Sequence, residues 1–208
     1  MKLYDYVLSG NCYKVRLLAN LLGVSYEGVP IDFYPGREHR NAAFLKVNPL
    51  GQLPVLEDGD LTLRDAQAIL LYVANRYDSS GTWWPSREPE RVGQVAQWLA
   101  FADQITATAS AARLHDMLGY ELDVDSARKG AHRVFRVLED HLTDVEIDGR
   151  SWIVGEHPTI ADIACFPYTA LAGDGGIDTS GYPAIRRWLR RVMDIPGFID
   201  MPGINSIK

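Results

Sequence analysis

Several features that would announce a function are missing from this sequence. It holds two cysteines in 208 residues, Cys12 and Cys165, which is too few for a disulfide framework and fits no metal or redox spacing. No group of His, Cys and Asp falls at zinc-ligand intervals, so neither a metal nor a disulfide is expected. Basic charge is scarce: 21 Lys and Arg face 27 Asp and Glu, a net charge of -6. That balance supplies no positive field for nucleic acid or anionic lipid. The local pairs Arg186-Arg187 and Arg190-Arg191 read as a solvated helix face. No apolar run approaches the roughly eighteen residues that span a bilayer, and no charged-then-apolar leader opens the chain. The expectation is a cytoplasmic protein. No serine lies in the G-x-S-x-G setting of a hydrolase elbow, and no repeat or low-complexity tract breaks the chain.

What is present is an ordinary globular composition, 47% hydrophobic and 23% charged, long enough for one large domain or two small ones. The patterning changes near residue 78. Before it, strand-like and helix-like segments alternate: a strand over Leu3–Leu8, a helix carrying Val15, Leu18, Ala19 and Leu22 with Gly23 as its stop, and a strand over Tyr26–Ile31. A short helix over Ala42–Val47 follows, then brief strands at Pro54–Leu56 and Leu61–Leu63 around a turn at residues 57 to 60. Asp65 then caps a helix bearing Ile69, Leu70, Val73 and Ala74. The order is βαβαββα. Residues 79–89, rich in small residues and proline around Trp83 and Trp84, read as a linker that packs. Beyond them only helical periodicity remains, with helices expected near 88–118, 126–145, 159–171 and 183–194.

Few positions invite chemistry on their own. Pro54 heads a short apolar strand and so belongs at a strand start or an edge. A cis Leu53-Pro54 bond would turn the Leu53 backbone outward for pairing with a peptide-like ligand. Asp65 opens a helix, where free amides favour an anion, although an ordinary N-cap has the same signature. Thr159 and Asp162, three apart before an apolar run, form a capping box with a purely structural purpose. Cys12 at a helix start is either an activated thiolate or a small buried hydrophobe, and Cys165 belongs to the core. Ser9 alone is a loop or cap residue.

Taken together, the segments at 9–16 (SGNCYKVR), 44–56 (FLKVNPLGQLPVL), 65–70 (DAQAIL), Gly155 through Asp162, and Tyr182-Pro183 through Trp188 to Phe198 resemble the glutathione transferase family over nearly the whole chain. The resemblance implies a thioredoxin-like N-terminal domain over 1–78, a linker at 79–89, an all-helical C-terminal domain over 90–208, and a homodimer. It implies a transferase that activates the glutathione thiolate for attack on a small hydrophobic electrophile, in the manner of detoxification. Residue by residue, Ser9 looks like the serine that hydrogen-bonds the glutathione sulfur. Gln52 matches the position facing the glycyl carboxylate, joined by His39 or Arg40. Leu53 precedes the cis-proline Pro54 and matches the residue that pairs with the cysteinyl unit. Asp65 and Ala66 stand where the family has Glu-Ser for the γ-glutamyl end: the charge is kept on a shorter arm and a hydroxyl is lost. Cys12 is counted among the glutathione-binding residues by the same resemblance. Arg113, His115, Leu118 and Tyr120 either line the electrophile site or form only the exposed end of a long helix. Asn11 keeps a rival donor open, since relatives with asparagine near this point act on glutathione disulfides. The Asp-Ala departure leaves a third reading, a non-catalytic binding or scaffold protein of this fold. Maleylacetoacetate isomerase activity is disfavoured because the usual serine-cysteine pair is not found as such.

Overall fold

The computed structural model describes residues 1–204; residues 205–208, assigned above to the C-terminal domain, lie outside the described residues. A four-stranded sheet holds the N-terminal half: β1 (Lys2–Asp5), β2 (Glu27–Pro30), β3 (Val55–Asp58) and β4 (Leu61–Arg64). The spatial order is β2-β1-β3-β4, with β1 parallel to β2 and antiparallel to β3, and β3 antiparallel to β4. α1 (Gly10–Leu21) supplies the parallel crossover, α2 (Ala42–Val47) precedes the hairpin, and α3 (Ala66–Tyr77) follows it. The thioredoxin-like order βαβαββα is therefore the observed one. Gly59, at φ 60°, makes the tight hairpin turn, a backbone region that glycine enters at no steric cost.

Strand alternation assigns the two faces. Leu3 and Leu56 are buried on the side of α1 and α3, whereas Tyr4 meets Phe44 of α2 edge-on at 6.1 Å in a smaller cluster with Ile31 and Val55. β1 is shorter than the Leu3–Leu8 strand expected from the sequence. Its continuation is bent away because the Tyr6 and Val7 carbonyls accept from Arg16, at 3.4 and 3.0 Å, and Tyr6 also accepts the Ser9 N–H at 2.9 Å. Ladder pairing ends where side chains and turns take over the backbone groups.

The second half is helical: α4 (Pro89–Ile105), a π-helical turn at Thr106–Ser110, α5 (Ala111–Leu118), α6 (Val124–Ile147), α7 (Ile160–Ala170) and α8 (Pro183–Met193). The single helix expected over 88–118 is thus interrupted. Thr106 and Thr108 donate their hydroxyls back to the Ala102 and Gln104 carbonyls, at 3.0 and 2.7 Å, the local competition by which threonine bends a helix. α7 runs through the centre, packed on α1, α3 and α4. Its start carries the capping box: Asp162 is fully buried and accepts from the Thr159 amide at 2.9 Å, the Ile153 amide at 3.1 Å and Trp188 Nε1 at 2.9 Å. In the segment between α3 and α4, Trp83 is buried and its carbonyl takes the Ile160 N–H at 3.0 Å. One continuous core cluster runs from Leu3 in β1 to Trp188 in α8. The chain then returns to its beginning. Tyr13 of α1 donates to the Ile199 carbonyl at 2.6 Å, Asn20 donates to Gly197 at 2.7 Å, and Phe198 packs edge-on against Tyr13 and Phe166. Among the described residues, no helix is long and apolar enough to cross a membrane.

Candidate functional site

A cavity of about 370 Å³ opens between the sheet domain and the α4–α5 tract, within the size range of small-molecule sites. Ser9 lies on its N-terminal wall as the N-cap of α1, its Oγ accepting the Cys12 N–H at 3.2 Å. A hydroxyl has one proton and two acceptor sites. With a lone pair committed to the helix, the hydroxyl keeps one proton to donate, and the neighbouring Cys12 thiol also lies within its reach. Asn11 also lines the cavity, and its Oδ1 is buried with no partner. Its backbone N–H donates to Tyr168 Oη at 3.3 Å, and the absence of a side chain at Gly10 lets that ring approach: a Cβ there would sit 2.7 Å from Tyr168.

Cys12, expected among the glutathione-binding residues, does not line the cavity. It is fully buried, and burial pushes its thiol up to about 12, the opposite of an activated thiolate. The alternative of a small buried hydrophobe is the one realised, as it is for Cys165, which is also fully buried.

Around the rim, Arg40, Gln52, Leu53 and Pro54 all reach the cavity, and the Leu53-Pro54 bond is cis. His39 does not reach it: the ring is buried, stacked on Phe33 at 3.9 Å, and held toward its neutral form by burial and by Arg40 and Arg37. It props up Phe33, which itself lines the wall. Asp65 and Ala66 complete this side. Asp65 adopts φ 79° and ψ 127°, outside the normal range of an L residue, and its carboxylate accepts the Ala68 N–H at 2.9 Å. Such conformations cost about 1–3 kcal/mol and persist where surrounding structure holds them. The Ala66 and Gln67 amides at the head of α3 have no intrahelical acceptor, so the first turn presents free N–H groups beside Asp65.

A second carboxylate, Asp103 of α4, lines the cavity and accepts from Gln67 Nε2. Burial and the neighbouring Asp65 raise its affinity for a proton, and Lys14 opposes them. Lys14 is fully buried, 3.4 Å from Gln67 Oε1 and 5.7 Å from the centre of the Tyr168 ring. Burial lowers its ammonium to about 8.

On the helical wall, Arg113, Leu118 and Tyr120 line the cavity, and Tyr120 stacks on Phe33, which stacks on Tyr6. His115 points elsewhere: it bonds Asp116 at 2.9 Å, whose other oxygen takes Arg128 at 2.7 Å. Sequence reasoning missed Tyr6, Phe33, Asp103, Thr106, Ser110 and Tyr168. A signal for three of them existed, because Asp103, Thr106, Ser110 and Arg113 recur at steps of three and four, a polar stripe along one helical tract.

A thioredoxin-like sheet domain joined to an all-helical domain, with a helix-capping serine and a cis-proline loop facing the cleft between them, defines the structural class. The model of the glutathione S-transferase N-terminal domain matches residues 1–75, and that of the C-terminal domain matches residues 101–196. The chain belongs to the glutathione S-transferase family. It is 37% identical over 186 residues to glutathione S-transferase 3 of Zea mays, covering 78% of this chain and 73% of that one. It is 29% identical over 193 residues to maleylacetoacetate isomerase of Pseudomonas aeruginosa, covering 90% and 88%. The crystal structure of a glutathione S-transferase from Pseudomonas fluorescens superposes with a TM-score of 0.84 at 34% identity, over 97% of this chain and 98% of that one. Ure2p in complex with glutathione superposes at 0.78 and 28% identity, over 94% and 95%.

Proposed function

We propose that this protein binds glutathione along the sheet-domain wall and activates its thiolate for attack on a small electrophile held against α4 and α5. The observation that carries the reading is Ser9 itself, the N-cap of α1, which lines the cavity with a hydroxyl that keeps a proton to donate. A thiol of reference pKa about 8.5 is only a few per cent thiolate at neutral pH. Lowering that value by about two units requires about 2.7 kcal/mol of preference for the anion. One hydrogen bond to a charged group contributes about 1.5–3 kcal/mol and a helix N-terminus about 0.3–1 more, so Ser9 and the start of α1 are sufficient.

The two ends of glutathione fit the remaining groups. Arg40 and Gln52 face the glycyl carboxylate, the Leu53 backbone pairs with the cysteinyl unit, and the free amides of Ala66 and Gln67 receive the γ-glutamyl carboxylate. Asp65 and Asp103 then neutralise the γ-glutamyl ammonium, a pair of charges that offsets the hydroxyl missing at Ala66. The domain division at 1–78, 79–89 and 90–208, a homodimeric assembly and a cytoplasmic setting with a detoxifying role belong to the same reading and rest on family likeness.

Calorimetric titration of glutathione into the wild type and an Arg40→Ala variant tests the binding half. The expected result is saturable binding weakened roughly tenfold in the variant, the worth of one charge-assisted contact. No binding to the wild type would favour the scaffold reading. A second enzymatic reading, glutathione-dependent disulfide reduction, is favoured by the place of Asn11 in the cavity lining beside Ser9, where its side-chain NH2 group is a second donor for a sulfur. Loss of disulfide reduction with conjugation retained in Asn11→Ala would establish it.

A further inference from the structure

Arg113 has more donors than its partners use. Its Nε donates to Asp174 at 3.0 Å and its Nη1 to the Leu8 carbonyl at 2.8 Å, one residue before Ser9. Its Nη2 is buried with no partner, and the residue is only 7% exposed while lining the cavity. Its backbone is fixed by a close approach of the chain, since a Cβ at Gly175 would lie 2.8 Å from the Arg113 nitrogen. A buried guanidinium donor left unpaired is unfavourable, and a carboxylate is the partner whose geometry it fits.

Charge assignment within the cavity points the same way. If glutathione fills the sheet-domain wall, its carboxylates are met by Arg40 and the α3 amides and its ammonium by Asp65 and Asp103. Arg113 sits across from them on α5, beside the aromatic surface of Tyr6, Phe33 and Tyr120. We propose that the second substrate carries a carboxylate, received by Arg113 Nη2, on a flat apolar body that lies against those rings. The proposal rests on the glutathione reading above. A neutral substrate of the same shape leaves Nη2 unpaired, and a site built around a buried donor rejects the analogue that cannot use it.

The reaction that reports on this is aromatic substitution. The glutathione sulfur forms a C–S bond to the ring carbon of 4-chloro-3-nitrobenzoate, the C–Cl bond breaks with its electron pair leaving as chloride, and the thiol proton passes to solvent. The neutral counterpart is 4-chloro-3-nitrobenzamide. Binding is measured independently of turnover by calorimetry with the two glutathione conjugates prepared chemically, and with oxidised glutathione, on wild type, Arg113→Gln and Arg113→Lys. The ratio of affinities within the matched pair is the readout, because a general loosening of a variant weakens both members alike.

The carboxylate conjugate is expected to bind the wild type at least about tenfold more tightly than the carboxamide. The ratio falls to near one in Arg113→Gln and is partly restored in Arg113→Lys, with kcat/KM following the same order. If instead Arg113→Gln weakens only oxidised glutathione, the carboxylate belongs to a second glutathione. Equal binding of the pair to wild type, together with unaltered binding of oxidised glutathione by Arg113→Gln, overturns the proposal while glutathione binding stands. If glutathione and both conjugates all fail to bind the wild type, the glutathione reading itself has failed and this one with it.

Discussion

Replacing Ser9 by alanine removes two interactions at once, and they report on different observables. The hydroxyl proposed above as the donor to a bound sulfur is lost, and so is the oxygen that accepts the Cys12 N–H at 3.2 Å. The first loss, about 1.5–3 kcal/mol, raises the pKa of bound glutathione by about one to two units. From a bound value about two units below 8.5, the thiolate fraction at pH 7 falls from roughly three quarters to between about 3% and 25%. Conjugation falls in proportion when the chemical step limits. The second loss is that of an N-cap, about 1 kcal/mol, which lowers the melting temperature by about 2–4 °C in a chain of this size. Ultraviolet thiolate absorbance followed against pH in the glutathione-saturated protein reads the first, and calorimetric melting reads the second. Ser9→Thr keeps the hydroxyl and should recover most of both. The reasoning is refuted if Ser9→Ala binds glutathione with its thiolate pKa unmoved. A pKa rise in Asn11→Ala instead would transfer the donor role to Asn11.

Three further outcomes follow from the packing. Gly10→Ala forces the Tyr168 ring aside from a 2.7 Å contact, an overpacking cost of about 1–3 kcal/mol visible in denaturant midpoints together with reduced conjugation; unchanged values of both would show that the approach is not constrained. Asp162→Ala orphans three buried donors, the Thr159 and Ile153 amides and Trp188 Nε1, at about 1–3 kcal/mol each. That is a large part of the stability of a typical protein, and soluble expression with a near-normal melting temperature would contradict it. Cys12 remains a neutral thiol up to about 12 in the folded protein, against 9.0 for an ordinary thiol. The unfolded chain therefore releases its proton first, so this stabilisation is complete below about pH 9 and is lost as the pH rises toward 12, at up to about 1.4 kcal/mol per unit. Urea titrations from pH 8 to 11 should show a shallower decline in Cys12→Ala than in the wild type, and native Cys12 should resist iodoacetamide at neutral pH; rapid alkylation would refute its burial.

Local chemistry was legible where one residue type has one mechanical use. The helix over Ala42–Val47, the cap at Asp65, the box of Thr159 and Asp162 and the strand-initiating Pro54 were all readable, because capping and proline geometry act within a few residues. The N-terminal βαβαββα order followed from periodicity. Legibility ended where position depends on distant segments. Asp103 meets Gln67 across 36 positions, and Tyr168 reaches Asn11 across 157, and no local pattern records either meeting. His39 and His115 illustrate the converse: a polar residue near a site in sequence says nothing about its direction, and one lies behind Phe33 while the other pairs with Asp116. The π-helical turn escaped because one residue in excess of the α-helical register leaves the apolar periodicity of the tract almost unaltered.

The return of the last segment onto α1, through Tyr13 to Ile199 and Asn20 to Gly197, makes the molecule closer to a clasp than to two beads on a string. Cutting such a chain at its linker does not yield separable modules, because residues 197–199 close on α1, the helix capped by Ser9. A chimera that exchanges the sheet domain between relatives must therefore preserve the fit of residues 197–199 to the incoming α1. The recombination boundary that matters is this seam near the end of the chain as much as the linker in its middle.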